Sequence, residues 1–196
     1  MHINSHFAVG VIIASFLNYF LKFNVIEFFL IVFFSFLCDF DVFFSKFAKD
    51  NNHRLLITHS IIPSFVIIFI GYLFSWIILI ICGFVYFTHI FIDTLDWGTN
   101  FFYFQHKQVG LKLLIPKEEF ENLPLYLSKY KNPASYFDNK YYSSKLFLTI
   151  EVLLFIFMWI FILIFALDYI LITLIYFPGL FFHLSRHIHL KKTEEQ

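Results

Sequence analysis

Long apolar runs, broken at intervals by short polar clusters, set the pattern of this 196-residue chain. A bilayer core of about 30 Å needs about 20 helical residues. Six segments meet or approach that length: 6–23, 25–45, 59–75, 76–95, 146–166 and 168–186. The boundary between the third and fourth is the least marked, because Phe74-Ser75-Trp76 contains neither Gly nor Pro. A turn is expected there nonetheless, since one unbroken helix from Ile61 to Leu95 would run about 52 Å at 1.5 Å per residue. Ser60 is placed to cap the third span, leaving Pro63 in the first turn, where a missing amide hydrogen costs little. The pattern therefore predicts an all-α integral membrane bundle of about six transmembrane helices. It forms one domain over 1–196, with 96–145 as a cytoplasmic or interfacial insertion between the fourth and fifth spans.

That insertion is the one stretch of ordinary polarity. Pro116 followed by Lys117, Glu118 and Glu119 predicts a helix start, and Pro124 interrupts the apolar face that Phe120, Leu123 and Leu127 begin. Its tyrosines interleave with lysines, which suits a segment at headgroup level. With six spans, both termini and both long loops share one side. Of the 14 Lys and Arg residues, only Lys22 falls on the other. Lys49 and Lys107 are counted with the loop-bearing side, which the positive-inside rule makes cytoplasmic.

Composition agrees with the membrane reading: 60% of residues are hydrophobic, 32 are Phe, and only 14% are charged. The N-terminus has no basic region or small-residue cleavage site, so its apolar stretch reads as a retained helix. Cys38 and Cys82 lie inside apolar runs and read as small apolar fillers, although a thiol beside Asp39 is within reach of a metal held there. No Walker-type loop or nucleophile elbow is present, and nothing in the charge pattern suggests a nucleic-acid partner.

Metal-ligand residues cluster near the ends of the apolar runs. His89 and Asp93 are four apart, on one helix face, a spacing that suits two ligands of one ion or equally a capped helix end. His53 and His59 can meet around an ion only if their loop folds back. Arg54 beside them suits an anionic phosphate, while the alternative is a basic loop on anionic lipid. Asp39 and Asp41 would point about 200° apart on a regular helix. Either the helix ends there or only one is a ligand, and two acids at a helix C-terminus oppose the macrodipole unless a cation relieves them. His6 heads the first span. Glu151, inside the fifth span, is costly to leave unpaired in lipid, so a cation or a His partner is expected. His183, His187 and His189 lie among Arg186, Lys191 and Lys192 and read as an anionic-lipid contact. Mixed imidazole and carboxylate donors suit Zn²⁺, Mn²⁺ or Fe²⁺ better than Ca²⁺ or Mg²⁺.

These elements resemble those of the small integral membrane proteins called predicted membrane-bound metal-dependent hydrolases. The resemblance rests on His6, on Asp39 and Asp41, on His53, Arg54, Thr58, His59 and Ser60, and on Thr88, His89, Asp93 and Gly98. Cys38 stands where Pro is usual, Thr88 where Ser is, and Leu55 where Gly is expected. The resemblance implies a distant similarity to the helical fold of zinc-dependent phospholipase C and single-strand nucleases, and with it phosphoester hydrolysis.

The leading expectation is thus a membrane-bound metal-dependent hydrolase working at the cytoplasmic face on a phosphoester, with a lipid or lipid-linked headgroup as the convenient substrate. One or two divalent ions, Zn²⁺ or else Mn²⁺ or Fe²⁺, would be held by a set drawn from His6, Asp39, Asp41, His53, His59, His89, Asp93 and Glu151. Arg54 would stabilise developing charge, with Asp41 or Asp96 as general base. A metal-ion or solute transporter is the alternative from another class. Only Lys22, Glu27 and Asp168 lie toward the far face, however, which offers no polar path. A non-catalytic protein tied together by its metal is the third reading.

Overall fold

A computed structural model of the chain describes residues 2–48, 52–103 and 108–196. Lys49 and Lys107, counted above in the charge asymmetry, lie outside the described residues. The architecture is all-helical, and among the described residues the only extended pairing is an isolated antiparallel bridge between Thr99 and Val109.

Helix α1 spans Ile3–Leu21, α2 Val25–Phe34, α3 Ile61–Leu73 and α4 Ile77–Asp96. After the insertion come α8, Lys145–Phe165, and a 3-10 stretch, Leu167–Ile175, that runs directly into α9, Tyr176–Glu195. Four of these stretches are long and apolar enough to cross a membrane: Ile3–Leu21, Ile77–Asp96, Lys145–Phe165 and Leu167–Glu195. The other two expected spans are shorter. The segment read as 25–45 is α-helical only to Phe34, turns at Ser35-Phe36, and continues as a 3-10 helix over Leu37–Phe47. The segment read as 59–75 begins its α-helix only at Ile61, because 53–55 and 57–59 are short 3-10 turns. Apolar composition carries no information on whether a run is wound as α or 3-10, which is why both ends were overextended.

Local chemistry accounts for the helix ends. Asn24 and Glu27 form a reciprocal capping box at the start of α2, its side chain accepting from Ile26 and Glu27 amides while Glu27 accepts from the Asn24 amide. Ser60 caps α3 and Pro63 sits in the first turn, as expected. The expected turn between α3 and α4 is made without Gly or Pro: Ser75 takes a left-handed φ of 50°, and the Trp76 amide bonds back to the Gly71 carbonyl.

In the insertion α5 (Lys117–Glu121) starts behind Pro116, α6 (Leu123–Leu127) carries Pro124 in its first turn, and α7 (Pro133–Ser143) packs on α8 and α9. The main core lies between α1, α2, α4 and α8, with Phe7, Val11, Phe28, Ile31, Val85, Met158 and Ile162 buried in it. Gly10 of α1 is required where α1 meets α2, since a Cβ there would land inside the Ser35 side chain. That close approach fixes the turn at Ser35 against α1, directly beneath the polar cluster described next.

Candidate metal centre

Seven of the residues singled out by the sequence come together at one end of the bundle: His6 from α1, Asp39 and Asp41 from the 3-10 segment, His53 and His59 from the folded-back loop, and His89 and Asp93 from α4. Asp93 is at their centre and is fully buried. Its Oδ1 lies 3.1 Å from His6 Nε2, and its Oδ2 lies 3.4 Å from His59 Nε2 and 3.5 Å from His89 Nε2. His89 Nε2 is also 3.6 Å from Asp39 Oδ1. Apart from the first, these separations exceed the usual N–H···O range of about 2.7–3.2 Å. They match the edges of a coordination shell instead: donors bound at about 2.0–2.2 Å in a tetrahedron sit about 3.3–3.6 Å from one another.

The ring orientations are fixed from behind. His89 Nδ1 donates to the backbone carbonyl of Ser35 at 2.7 Å, and His59 Nδ1 lies 2.6 Å from Asp41 Oδ2. Each contact assigns the proton to Nδ1 and turns the Nε2 lone pair toward Asp93, the arrangement by which outer hydrogen bonds orient metal-binding imidazoles. Thr58 Oγ1 donates to the same Asp41 oxygen. His6 stacks on His89 with centroids 3.6 Å apart at 22°. Among the described residues three sets present donor atoms within 4.8 Å of one another: His6 with Asp39, His89 and Asp93; Asp41 with His53 and His59; and Cys38 with His59 and His89. Burial, reinforced by the His59 imidazole and the Arg54 guanidinium, pushes the His53 imidazole down to about 3, so it is a neutral donor near pH 7.

Arg54 does not reach freely into solvent. Its guanidinium makes two contacts with Asp96, Nη1 to Oδ1 at 2.6 Å and Nη2 to Oδ2 at 3.1 Å, and its Nη2 stands 3.4 Å from Asp93 Oδ1. Burial works against its charge, but Asp93 and Asp96 outweigh that and hold its pKa above the ordinary value. Asp96 also accepts from the Trp97 amide at 2.6 Å, so it anchors Arg54 rather than standing ready as a base.

The loop 52–60 is held by groups that sequence reading passed over. Asn100 donates through Nδ2 to the Leu55 carbonyl at 3.0 Å, Thr99 through Oγ1 to the His59 carbonyl at 2.6 Å, and Tyr86 through its hydroxyl to the Thr58 carbonyl at 2.7 Å. Their only sequence signal is closeness to Asp93 and Gly98. Gly98 has a left-handed φ of 80°, which turns the chain back over the loop.

Glu151 stands apart. It accepts from Asn4 Nδ2 and from the Tyr141 hydroxyl, the latter at 2.8 Å, with His2 Nδ1 at 3.8 Å. Its polar partners are thus His2, Asn4 and Tyr141 rather than the Asp93 cluster. Two of the three C-terminal histidines join this second region: His183 stacks on His2 with centroids 4.0 Å apart, and His187 stacks on Tyr142 and pairs with Asp138, while His189 is exposed.

The family model described as YdjM inner membrane protein matches residues 1–170. The chain belongs to the YdjM inner membrane protein family. This match places it in the inner membrane and corrects the family reading made from the motifs, which compared it with predicted membrane-bound metal-dependent hydrolases. The motif resemblance rests on a few short His and Asp elements, whereas the YdjM match takes in three of the four candidate spans and the whole polar cluster. No curated protein and no solved structure matches the chain, so the comparison with the zinc phospholipase C and nuclease fold has no support.

Proposed function

We propose that this YdjM-family chain holds a divalent metal between His6, Asp39, His59, His89 and Asp93 and uses it to hydrolyse a phosphoester at the cytoplasmic face of the inner membrane. The observation that supports it is the set of separations of 3.4–3.6 Å from the Nε2 atoms of His59 and His89 to the carboxylates of Asp93 and Asp39, with the backs of both rings fixed by Asp41 and Ser35. The donor chemistry favours Zn²⁺, Mn²⁺ or Fe²⁺. A bound ion of this kind supplies an acidified water and polarises a phosphoryl oxygen. Arg54, held by Asp96, offers fixed positive charge beside that position, and Asp41 Oδ1, buried and without a hydrogen-bond partner among the described residues, takes the proton in this reading.

The threading proposed with this reading has six passes, α2 and α3 being the two short ones. His6 and Lys22 lie at opposite ends of α1, so the cluster shares the end of the bundle reached by the basic loops, which the positive-inside rule makes cytoplasmic. Asp39 and His53 are the partly exposed members and open the cluster on that side. Membrane lipids are the immediate partners, and a lipid or lipid-linked phosphoester is the substrate that reaches such a position most directly.

The near-complete burial of His59, His89 and Asp93 favours a second reading, a metal that only ties the helices together. The full chain, purified in detergent, separates the two. Metal is quantified in the parent and in His89→Ala and Asp93→Ala, melting is followed with and without chelator, and lipid and soluble phosphoesters are screened. Stoichiometric metal lost in both variants, with turnover abolished by chelator, is the expected result. Metal with a chelator-sensitive melt but no turnover leaves the structural reading, and no bound metal ends both.

A further inference from the structure

Cys38 brings a donor of a different kind to the same place. Its Sγ lies 3.9 Å from His59 Nε2. Cys38, His59 and His89 each present one donor atom, all within 4.8 Å of one another, and all three residues are buried. The other cysteine shows what an ordinary filler looks like: Cys82 sits within α4 among Ile78, Ile81 and Val85, with no metal-ligating group assembled around it among the described residues. Cys38 instead follows the Ser35-Phe36 turn and immediately precedes Asp39. The Nε2 of His89 is fully buried there and makes no hydrogen bond among the described residues, the carboxylates of Asp93 and Asp39 standing off at 3.5 and 3.6 Å. A buried imidazole nitrogen left without a bond costs stability unless something else engages it.

The geometry suits sulfur. On a tetrahedral ion, a thiolate at about 2.3 Å and an imidazole nitrogen at about 2.0–2.1 Å lie about 3.5 Å apart. The observed 3.9 Å is within a few tenths of that separation.

We propose that Cys38 is a thiolate ligand of the ion held by His59, His89 and Asp93, which makes the centre one for a thiophilic divalent metal such as Zn²⁺ rather than for Mg²⁺ or Mn²⁺. The inference rests on the metal reading above and adds to it the sulfur donor and the class of ion. On binding, the S–H bond breaks, an S–metal bond forms, and the proton passes to water. Soft thiolate donors then select zinc-like and cobalt-like ions over oxygen-seeking ones.

The test loads the full chain in detergent with Co²⁺ and records its absorption spectrum. A sulfur-to-cobalt charge-transfer band in the near ultraviolet is expected beside the visible d–d bands. Cys82→Ser keeps both, and Cys38→Ser keeps the visible bands and loses the ultraviolet one. A large excess of Mg²⁺ leaves the spectrum unchanged. Stoichiometric cobalt with visible bands but no ultraviolet band overturns the thiolate ligand and leaves the metal centre standing. A parent that binds neither cobalt nor zinc overturns the metal centre itself. The parent spectrum reads the bond directly, so the answer does not depend on Cys38→Ser folding.

Discussion

His59 Nδ1 lies 2.6 Å from Asp41 Oδ2, and the same ring directs its Nε2 to within 3.4 Å of Asp93 Oδ2. One imidazole therefore links a carboxylate near the opening to the buried centre, and what is done to Asp41 is felt at Asp93. Asp41→Asn keeps an acceptor for His59 but removes the charge that makes the imidazole a stronger donor. Metal affinity is expected to fall about 10–100-fold, the usual cost of losing an outer partner of a ligand. Titration with a competing chelator measures it, and unchanged affinity would remove Asp41 from this role.

The Arg54–Asp96 pair gives a second expectation. Both side chains are largely buried, and once Asp96 loses its charge the ion pair left to Arg54 among the described residues is the one with Asp93 at 3.4 Å. Breaking a buried pair by removing one partner costs about 3–5 kcal/mol, and Asp96→Asn is expected near the lower end. Thermal melting in detergent checks this, and the double change with Arg54→Gln should recover part of the loss. A general base would behave differently, with turnover lost and the melt unmoved.

Packing under the centre is equally open to test. Gly10→Ala puts a methyl group into Ser35, whose carbonyl holds His89. Overpacking of this kind costs about 1–3 kcal/mol. A lowered melting temperature and weaker metal retention are expected together, and adding Ser35→Gly should relieve both. A change in stability with no change in metal binding would mean that the Ser35 carbonyl does not set the ring of His89.

The insertion carries a pH-dependent contact well away from the centre. Glu119 accepts from Lys140 Nζ at 2.8 Å and from the Tyr136 hydroxyl at 2.6 Å, and these two hydrogen bonds hold its carboxyl below the usual Glu value. A depressed carboxylate contributes stability that is present above its unfolded pKa and lost as pH falls through its folded one. Protection of the α5 and α7 amides, read as exchange corrected for its intrinsic pH dependence, should therefore fall as pH drops below about 4.5, the ordinary Glu value. In Glu119→Gln the protection should already be low at neutral pH and nearly insensitive to acid. Equal acid sensitivity in both proteins would place the titrating group elsewhere.

Much of the centre was legible because lipid makes polar residues conspicuous: His6, Asp39, Asp41, His53, His59, His89 and Asp93 stood out against apolar runs, and threading brought them to one end. The use of Asp96 was not legible, since it depends on Arg54, distant in sequence; for Glu151 a His partner was expected and His2 stands at 3.8 Å, but its hydrogen-bond partners Asn4 and Tyr141 were not foreseen. The break at Ser35-Phe36 also escaped notice. It has neither Gly nor Pro, and its backbone is drawn into use by His89, 54 residues away. The same break resolves the puzzle of Asp39 and Asp41, which do not share a regular α-helix.

In the six-pass threading proposed above, the brevity of α2 and α3 bears on the lipid around them. Ten and 13 residues rise only about 15 and 20 Å, short of a hydrocarbon core of about 30 Å. A bilayer meets short apolar elements by thinning beside them. The surrounding leaflet should therefore dip along the α2 and α3 side, lowering the headgroup plane toward Asp39 and His53. Such a depression would turn hydrophobic mismatch into a way for a lipid phosphate to approach the cluster sideways, within its own leaflet.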